Sequence, residues 1–285
     1  MNPLMITQVL LYAQSQGLDR LDAQLLMLHA LGRAAHDRAW LLAHDTDVLT
    51  PAAQAAFEAG VHRRATGEPV AYITGRKEFF GLDLAVDHRV LVPRPDTETL
   101  VEWALDVLRE LDTQEPSASA LSVLDLGTGS GAIALALKQA RPALHLTATD
   151  ASPDALTVAH GNAQRLQLDV RFTESSWFAS LKPFNDLFHV IVSNPPYIAS
   201  GDTHLAALVH EPIGALTAGI DGLDDIRTII SQARGHLRPG GWLLLEHGYD
   251  QASIVRGLLT AAGFEAVQSR QDISGIERCS AGRIV

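Results

Sequence analysis

The sequence predicts an α/β protein in which a parallel β-sheet is covered by helices, preceded by a small helical bundle and a linking β-hairpin. Three observations support this fold class. Apolar residues recur at helical spacing up to about residue 64, the next stretch is rich in β-forming residues, and from Ser122 onward short apolar strands alternate with helices. Such alternation is typical of a parallel sheet with helices on both faces. The 285 residues suffice for a large domain and a smaller one.

Residues 1–75 are predicted to form the helical domain. Thr50 followed by Pro51 is a favourable helix start, because proline at the first helical position gives up a backbone donor that would be unpaired anyway. Four leucines recur at a spacing that places them on one helix face: Leu21, Leu25, Leu28 and Leu31.

Residues 76–92 are predicted to be the linking hairpin, with β-rich segments on either side of Gly81. The α/β domain then occupies residues 93–285, and the stretch Gln114 to Ala120, rich in Pro, Ser and Ala, indicates a surface loop. Helices are expected from Ala132 to Arg141 and from Ser152 onward. The predicted strands are Val123–Leu126, His145–Thr149, Val170–Thr173, His189–Val192, Trp242–Glu246 and Phe264–Gln268.

Composition and charge argue against several classes of protein. A formal net charge of −11 disfavours a chain that grips nucleic acid through phosphates, since that task needs a basic surface. No apolar run reaches the roughly 18 residues that a membrane span needs, and the first residues show no secretory signal. The single cysteine, Cys279, rules out an internal disulfide framework. We therefore expect a cytoplasmic protein that does not contact membranes.

A glycine-rich turn follows the first strand of the α/β domain and leads directly into a helix. Glycine allows both the tight turn and a close approach of the backbone to a ligand, and the helix start leaves amide donors free. A nucleotide-like ligand is expected here, although a purely structural turn is the alternative. The turn lacks the Lys-Ser/Thr ending of a P-loop and departs from the usual dinucleotide spacing. Its residues are Gly127, Thr128, Gly129, Ser130 and Gly131.

Asp150 ends the next strand, 25 residues after Asp125. An acidic side chain at that place accepts hydrogen bonds from ribose hydroxyls in nucleotide-binding folds. The alternative is a plain loop carboxylate. Because Ser152 and Pro153 already supply a cap and a first-turn proline, Asp150 is not needed to cap the following helix.

The segment Asn194-Pro195-Pro196-Tyr197 follows a strand at the ligand-binding edge of such a sheet. The two prolines stiffen the backbone and carry no N–H. The side-chain oxygen of Asn194 and the carbonyl of Pro195 are each expected to accept one hydrogen of an NH2 group, while Tyr197 packs on its plane. This arrangement favours a primary amide or an exocyclic amine as the acceptor, with a turn and a packed tyrosine as the alternative.

Other candidate residues give weaker signals. The twelve histidines show no metal-like cluster, and His204 and His210, six residues apart, are not expected to bind a metal. Trp177 lies in the loop after the third strand of the large domain, where packing in the core and contact with a nucleotide base are both open.

With these motifs in place, the chain resembles the HemK/PrmC family, the peptide chain release factor glutamine methyltransferases. The resemblance covers most of the chain. Besides Asn194–Tyr197, the segments that carry it are 69–75 (PVAYITG), 78–82 (EFFGL), 92–98 (VPRPDTE), Glu211-Pro212, 219–223 (GIDGL) and 272–276 (DISGI). A departure is Ser130, where a second Thr is common in the family.

The resemblance implies a Rossmann-like class I methyltransferase domain. It implies that the enzyme transfers a methyl group from S-adenosyl-L-methionine to the side-chain amide nitrogen of the glutamine in the Gly-Gly-Gln motif of class 1 release factors, leaving S-adenosyl-L-homocysteine. The helical domain would then dock the protein partner, and we expect a monomer. By the family's pattern the cofactor contacts are Gly127, Thr128, Gly129, Ser130, Gly131, Asp150, Trp177 and Asn194. The substrate contacts are Asn194, Pro195, Pro196 and Tyr197, of which Asn194, Pro195 and Tyr197 are catalytic.

Two other activities remain open from the residues. A glutamine methyltransferase acting on a ribosomal protein resembles the chain in the large domain, although segment 93–98 favours the release-factor branch. An N(6)-adenine methyltransferase uses the same Asn-Pro-Pro-Tyr motif, because adenine also presents an NH2 on a planar group. The acidic charge and the segments near Pro69 and Pro93 argue against that alternative.

Overall fold

A computed structural model of the chain describes residues 4–114 and 120–285. The chain divides into two compact units, one reaching to Arg76 and including Leu205–His210, the other comprising Lys77–His204 and Glu211–Val285. Residues 115–119 of the predicted surface loop lie outside the described part. The domain limits at residues 75 and 92 stay a prediction.

The first unit is built from helices around an apolar core. Thr50 caps the fourth helix as expected, since its hydroxyl oxygen accepts the Ala53 amide at 3.2 Å and Pro51 takes the first helical position. The core is centred on side chains such as Leu26, Met27 and Phe57, all at most 2% exposed. The helices are α1 (Ile6–Ser15), α2 (Arg20–Ala30), α3 (Arg38–Ala43), α4 (Pro51–Ala65) and α5 (Val70–Thr74).

The predicted helix around Leu28 is confirmed as α2, although its leucines are not equally buried. Leu28 is fully buried, whereas Leu21 is 47% exposed. The buried side chains of α2 are Ala23, Leu26, Met27 and Leu28, because the helix packs against both α1 and α4. A helix with neighbours on more than one side buries a wider stripe than leucine spacing alone indicates.

The second unit contains a seven-stranded sheet, as the alternating pattern predicts. Its strands are β3 (Ser122–Leu126), β4 (His145–Asp150), β5 (Arg171–Glu174), β6 (Phe188–Ser193), β7 (Leu237–Glu246), β8 (Glu265–Gln271) and β9 (Glu277–Arg283), in the order β5-β4-β3-β6-β7-β9-β8. The first five of these strands in the chain pair in parallel, so their carboxyl ends share one edge of the sheet.

Strand β9 is absent from the sequence-based prediction, and β8 and β9 depart from the expected parallel arrangement. Both pairings of β9, with β7 and with β8, are antiparallel. Since only five residues separate β8 from β9, the chain has no room for the crossover that parallel strands require. The middle of β9 carries small side chains, and Phe264 packs so closely on Gly282 that an added Cβ would meet it at 2.7 Å.

In the described part of this unit, the sheet is accompanied by the helices α6 (Glu98–Gln114), α7 (Ala132–Ala140), α8 (Pro153–Leu166), α9 (Asp224–Ala233) and α10 (Ala252–Ala261). Helix α7 ends one residue before the predicted limit, and α8 is capped by Ser152, whose oxygen accepts the Ala155 amide at 3.2 Å. Helices α9 and α10 pack on the sheet through fully buried side chains such as Ile229 and Val255.

The predicted linking segment contains a two-stranded hairpin, β1 (Arg76–Phe79) with β2 (Leu82–Ala85). The fully buried amide of Asn162 in α8 fixes β2, because its oxygen accepts the Ala85 N–H at 2.7 Å and its nitrogen donates to the Ala85 carbonyl at 3.0 Å. The same nitrogen donates to the Ser130 carbonyl at 2.9 Å. One side chain thus joins the hairpin, α8 and the glycine-rich turn.

Across residues 4–114 and 120–285, the helices all fall short of the length and apolar character that crossing a bilayer would demand.

Candidate active site

The carboxyl edge of the parallel strands gathers the motifs that sequence analysis singles out. The chain passes from β3 outward to β4 and β5 and then returns to place β6 on the other side of β3. At such a point the connections of neighbouring strands diverge and leave a crevice, which is where open α/β sheets bind ligands. The glycine-rich turn follows β3, and Asn194 follows β6.

A cleft of about 440 Å³ occupies this position in the second unit. Its size falls in the range of small-molecule sites. Six of the predicted site residues line it: Gly127, Gly129, Asp150, Trp177, Asn194 and Pro196. The other lining residues are Arg89, Val90, Leu91, Ala151, Ser152, Ala155, Ser175, Ser176, Pro212, Gly214, Ala215 and Asp225.

The glycine-rich turn presents its backbone to the cleft. Gly127 has a φ of +70°, so the turn favours glycine, and a Cβ there would lie 3.4 Å from the Trp177 ring, at van der Waals contact. The Gly127 and Thr128 amides donate to the Thr149 carbonyl at 2.8 and 2.9 Å. Thr128, Ser130 and Gly131 are buried behind the turn and do not line the cleft.

Asp125 is fully buried beneath the turn. Its Oδ2 accepts the Thr128 hydroxyl at 2.7 Å and the Ala134 amide at 3.2 Å, which ties the turn to the first turn of α7. Within the described residues, its Oδ1 has no hydrogen-bond partner. Burial raises the pKa of Asp125 to about 7, against the opposing effect of the Thr128 hydrogen bond.

Asp150 lines the cleft at the end of β4. Its Oδ2 accepts the Gly129 amide at 2.9 Å and its Oδ1 accepts the Ser152 amide at 2.9 Å. Burial raises the pKa of Asp150, although these backbone hydrogen bonds oppose the shift. A carboxylate has about four acceptor positions, so both oxygens keep capacity for hydroxyl donors from a ligand.

Trp177 lies over the glycine-rich turn in a left-handed backbone conformation, with φ of +50°. Such a φ is strained for a bulky residue and concentrates at functional sites. The indole N–H donates to Asp225 at 3.2 Å, and the ring also contacts the apolar core. Of the two possibilities left open by the sequence, core packing is therefore observed, and the ring additionally faces the cleft.

The segment Asn194-Pro195-Pro196-Tyr197 leaves β6 with both prolines buried. The Asn194 amide nitrogen donates to the Thr97 hydroxyl at 3.1 Å. Tyr197 packs against the core, and its hydroxyl lies 3.5 Å from Oε1 of Glu246. Burial, followed by the nearby Glu246, raises the pKa of the Tyr197 phenol, so it stays protonated. Pro195 and Tyr197 are not among the residues that line the cleft, and their contacts with an acceptor amide stay a prediction.

Gly222 supports this segment from behind. Its φ is +74°, and a Cβ there would lie 2.2 Å from the Tyr197 carbonyl oxygen. Gln251 donates its amide to the same oxygen at 3.0 Å. Gly222 is therefore required by its close contact with the Asn-Pro-Pro-Tyr segment. This contact gives a physical reason for segment 219–223, one of the segments that carry the family resemblance.

Segment 92–98 is held on the same edge. Buried Glu211 accepts the Val92 amide at 3.1 Å and pairs with the Arg94 guanidinium. Thr97, near its end, is 4% exposed, and its hydroxyl oxygen accepts the Asn194 amide at 3.1 Å. Burial raises the pKa of the neighbouring Glu246, and a hydrogen bond from Thr97 opposes that shift. The two sequence elements around Arg94 and Glu211 are thus one structural feature.

Sequence reasoning missed Thr97, Asp125, Asp225 and Glu246 as site residues. Asp125 carried a signal, since it opens the glycine-rich motif on a strand where a carboxylate is out of place. Glu246 carried the same signal, as the last residue of the apolar run Trp242–Glu246. Thr97 and Asp225 gave none, because only the fold brings them beside Asn194 and Trp177.

Within the part of the chain that the structure describes, no three His, Cys, Asp or Glu side chains are grouped so as to hold a metal ion. His204 instead lies beside Asp202, with Nδ1 and Oδ1 separated by 2.7 Å, and Nε2 of His210 lies 3.2 Å from the Thr66 carbonyl oxygen.

Two family models match the chain. Residues 7–75 match the PrmC N-terminal domain, and residues 106–253 match the methyltransferase small domain. The second match alone spans more than half of the chain and includes β3 to β7 with the glycine-rich turn and Asn194–Tyr197.

Individual relatives agree with these models. The release factor glutamine methyltransferase of Bordetella pertussis is 51% identical, over 93% of this chain and 95% of its own. That of Burkholderia pseudomallei is 50% identical, over 94% and 93%. A crystal structure of a methyltransferase from Pyrococcus furiosus superposes with a TM-score of 0.51 at 18% identity, covering 78% of this chain and 96% of that one, which supports the fold alone.

Proposed function

The chain belongs to the release factor glutamine methyltransferase family, and from this premise we propose how the cleft carries out the family's reaction. The enzyme transfers a methyl group from S-adenosyl-L-methionine to the side-chain amide nitrogen of the glutamine in the Gly-Gly-Gln motif of class 1 release factors. The observation that carries the proposal is the placement of Asn194 and Pro196 in the same cleft as Gly127, Gly129 and Asp150.

The residues at the ends of β3, β4 and β5 fit S-adenosyl-L-methionine. This cofactor supplies an electrophilic methyl group on a sulfonium carrier. Asp150 has acceptor capacity for the ribose hydroxyls, and Trp177 offers a flat apolar surface for the adenine. Gly127 and Gly129 let the cofactor approach the backbone, while Thr128, Ser130 and Gly131 shape the turn from behind. Asn194 closes the site on the β6 side.

The acceptor glutamine is held by the segment after β6. The Asn194 side-chain oxygen and the Pro195 carbonyl each accept one hydrogen of the substrate NH2, and Pro196 and Tyr197 bound the plane of its amide. Asn194 donates its own NH2 to Thr97, which leaves its oxygen for the substrate. Asn194, Pro195 and Tyr197 are therefore the catalytic residues.

Positioning supplies most of the catalysis. An amide nitrogen is a poor nucleophile because its lone pair is delocalised, so the site must hold it in line with the methyl group. Two fixed acceptors on the NH2 hydrogens orient the lone pair and draw it out of conjugation. Once the nitrogen is alkylated its proton is strongly acidic and passes to water, so no strong general base is required.

The protein partner is a release factor, and the finer description of that encounter is part of the proposal. The helical domain, residues 1–75, docks the factor, and the hairpin at 76–92 links it to the catalytic domain at 93–285. The net charge of −11 suits a partner that is basic because it works on RNA. We propose that the enzyme acts as a cytoplasmic monomer, without nucleic acid as its substrate and without a membrane.

Methyl transfer from labelled S-adenosyl-L-methionine to purified release factor tests the proposal. Label on the factor that disappears when the loop glutamine is changed to alanine is the expected result. Two further acceptors complete the experiment, a ribosomal-protein fraction and adenine-containing DNA. Label on either of these, with none on the release factor, would overturn the substrate assignment in favour of the corresponding activity.

A further inference from the structure

The Asn194 side chain has two ends that differ in hydrogen-bonding character. Its oxygen accepts hydrogen bonds, whereas its nitrogen only donates them. A substrate NH2 also donates, so a flipped Asn194 would face it with two opposed donors. The orientation of this one amide therefore decides whether the cleft holds an NH2 group.

Thr97 does not fix that orientation by itself. Its hydroxyl oxygen lies 3.1 Å from the Asn194 nitrogen, but a hydroxyl both donates and accepts and would satisfy either end of the amide. The neighbour of Thr97 on its other side is Glu246, a residue that is 1% exposed and whose pKa is lowered by a hydrogen bond from Thr97 against the larger, opposite effect of burial. Glu246 also lies 3.5 Å from the Tyr197 hydroxyl.

An ionised carboxylate accepts hydrogen bonds and never donates them. Next to it, the Thr97 hydroxyl must give its hydrogen to Glu246, so the threonine oxygen is left as an acceptor for the Asn194 NH2. The Tyr197 hydroxyl is oriented in the same way. Thr97 and Glu246 are both buried, so water does not compete for the hydrogen bond between them.

We propose that Glu246 and Thr97 are positioning residues that set the direction of the hydrogen bonds to Asn194, so that its oxygen faces the acceptor nitrogen. The proposal rests on the proposed function, which makes that nitrogen part of an NH2 group. Neither residue touches the substrate. The pair selects acceptors that present two hydrogens and disfavours groups that present an oxygen at the same place.

The orientation of the Asn194 amide depends on pH through the ionisation of Glu246. Burial raises the pKa of Glu246 to about 7. Of the charged and titratable groups around it, Arg278 favours the ionised form and Asp96 opposes it, while Tyr197 and Cys279 remain protonated because their own pKa values are raised. A protonated Glu246 carboxyl group can donate as well as accept, so it no longer fixes the direction of the hydrogen bond with Thr97. We therefore expect turnover to rise as pH increases through this pKa.

Two variants of Thr97 separate positioning from packing. Thr97→Val keeps the shape and removes the hydroxyl, and we expect kcat to fall about 10- to 100-fold, in line with the cost of a misplaced reacting group. Thr97→Ser restores the hydroxyl and should recover kcat to within about 3-fold of wild type. The affinity for S-adenosyl-L-homocysteine, measured by calorimetry, should change less than about 2-fold in both variants.

Thr260→Val is the matched control. Thr260 lies in α10 and is not among the residues that line the cleft, and its hydroxyl donates to the Arg256 carbonyl at 2.9 Å. The same isosteric change there should leave kcat within about 2-fold of wild type. For Glu246→Gln we expect a lower kcat and loss of the pH dependence near 7, because an amide does not titrate and offers donors as well as an acceptor.

A measurement on the free enzyme keeps the inference separate from the proposed function. The side-chain NH2 signals of 15N-labelled Asn194, assigned with Asn194→Ala, should exchange slowly with solvent in wild type and Thr97→Ser, and rapidly in Thr97→Val. Absence of methylated release factor with wild-type enzyme would contradict the proposed function alone. Equal exchange in wild type and Thr97→Val, or equal kcat for Thr97→Val and Thr97→Ser, would overturn the positioning role.

Discussion

The two halves of the cleft hold their ligands by different means. The donor half, at the ends of β3, β4 and β5, uses main-chain groups and a carboxylate that is itself bonded to main-chain amides. The acceptor half, at the ends of β6 and β7, uses a chain of side chains from Asn194 through Thr97 to Glu246. The donor half should therefore tolerate side-chain changes that keep the backbone path, whereas the acceptor half should lose turnover when one polar atom is removed.

The largest expected effect is that of Asn194→Ala in the acceptor half. The variant removes one of the two acceptors for the substrate NH2, and we expect kcat to drop by roughly 1,000-fold, as for the loss of a preorganised polar group in other active sites. S-adenosyl-L-homocysteine binding should weaken far less. Labelled methyl transfer and calorimetry measure the two quantities, and an equal loss in both would erase the distinction between the halves.

Two glycine substitutions come next, one in each half. Gly222→Ala places a Cβ 2.2 Å from the Tyr197 carbonyl oxygen, and we expect kcat to fall about 10- to 100-fold through displacement of that segment. Gly127→Ala, at φ +70° and 3.4 Å from the Trp177 ring, should mainly weaken cofactor binding. Gly161→Ala in α8 is the control, since nothing lies within 4 Å of its Cβ. The comparison would be contradicted if Gly127→Ala mainly lowered kcat and Gly222→Ala mainly weakened cofactor binding.

Each half also contains a buried carboxyl group with a pKa of about 7, Asp125 and Glu246. Because folding raises the pKa of Asp125 from 3.8 to about 7, the folded state holds a proton that the unfolded chain has lost. Stability should therefore fall as pH rises from about 4 to about 7 and level off above.

Asp125→Asn should flatten part of that decline, by roughly 1 to 3 kcal/mol between pH 5 and 8, while Glu246 continues to contribute with the same sign. Urea unfolding of the free enzyme at the two pH values measures the effect. The kcat dependence near pH 7 should survive in Asp125→Asn and vanish in Glu246→Gln. Loss of that dependence in Asp125→Asn would assign it to the donor half.

The smallest expected effect is that of Trp177→Phe. Phenylalanine keeps an aromatic surface over Gly127 and loses only the hydrogen bond to the Asp225 carboxyl group. Because that bond is partly exposed to solvent and orients the ring without contacting the cofactor, cofactor affinity should decrease only about 2- to 5-fold. Calorimetry with S-adenosyl-L-homocysteine gives the number. A loss above about 30-fold would show that the indole N–H matters more than the ring, contrary to a site based on surfaces and backbone.

Local signals predicted what depends on local sequence. The α7 helix and the Thr50 cap follow from residues within one turn of each other, and the glycine-rich turn follows from its φ requirements. Strand β9 could not be predicted in this way. Its small residues, such as Ala281 and Gly282, are set by burial between β7 and β8 and by the contact with Phe264 rather than by β propensity.

The site residues show the same difference between what local sequence predicts and what only the fold brings together. Asn194, Pro196 and the glycines stand in contiguous motifs and could be identified from chemistry and resemblance. Thr97 and Glu246 are 149 positions apart in the sequence, and each is unremarkable in its local context. Their importance comes only from the fold, which brings segment 92–98 beside the carboxyl end of β7.

The hydrogen bonds between Asn162 and strand β2 of the hairpin affect the order in which the chain folds. Strands β1 and β2 are four residues each, too short to persist alone, and the hydrogen bond that fixes β2 spans 77 residues. The entropy lost on closing that loop must be compensated before Asn162 can form its hydrogen bonds with Ala85. The hairpin should therefore join the native state late and open first, and the Ala85 amide should exchange in deuterium oxide faster than the Val123 amide of the central strand.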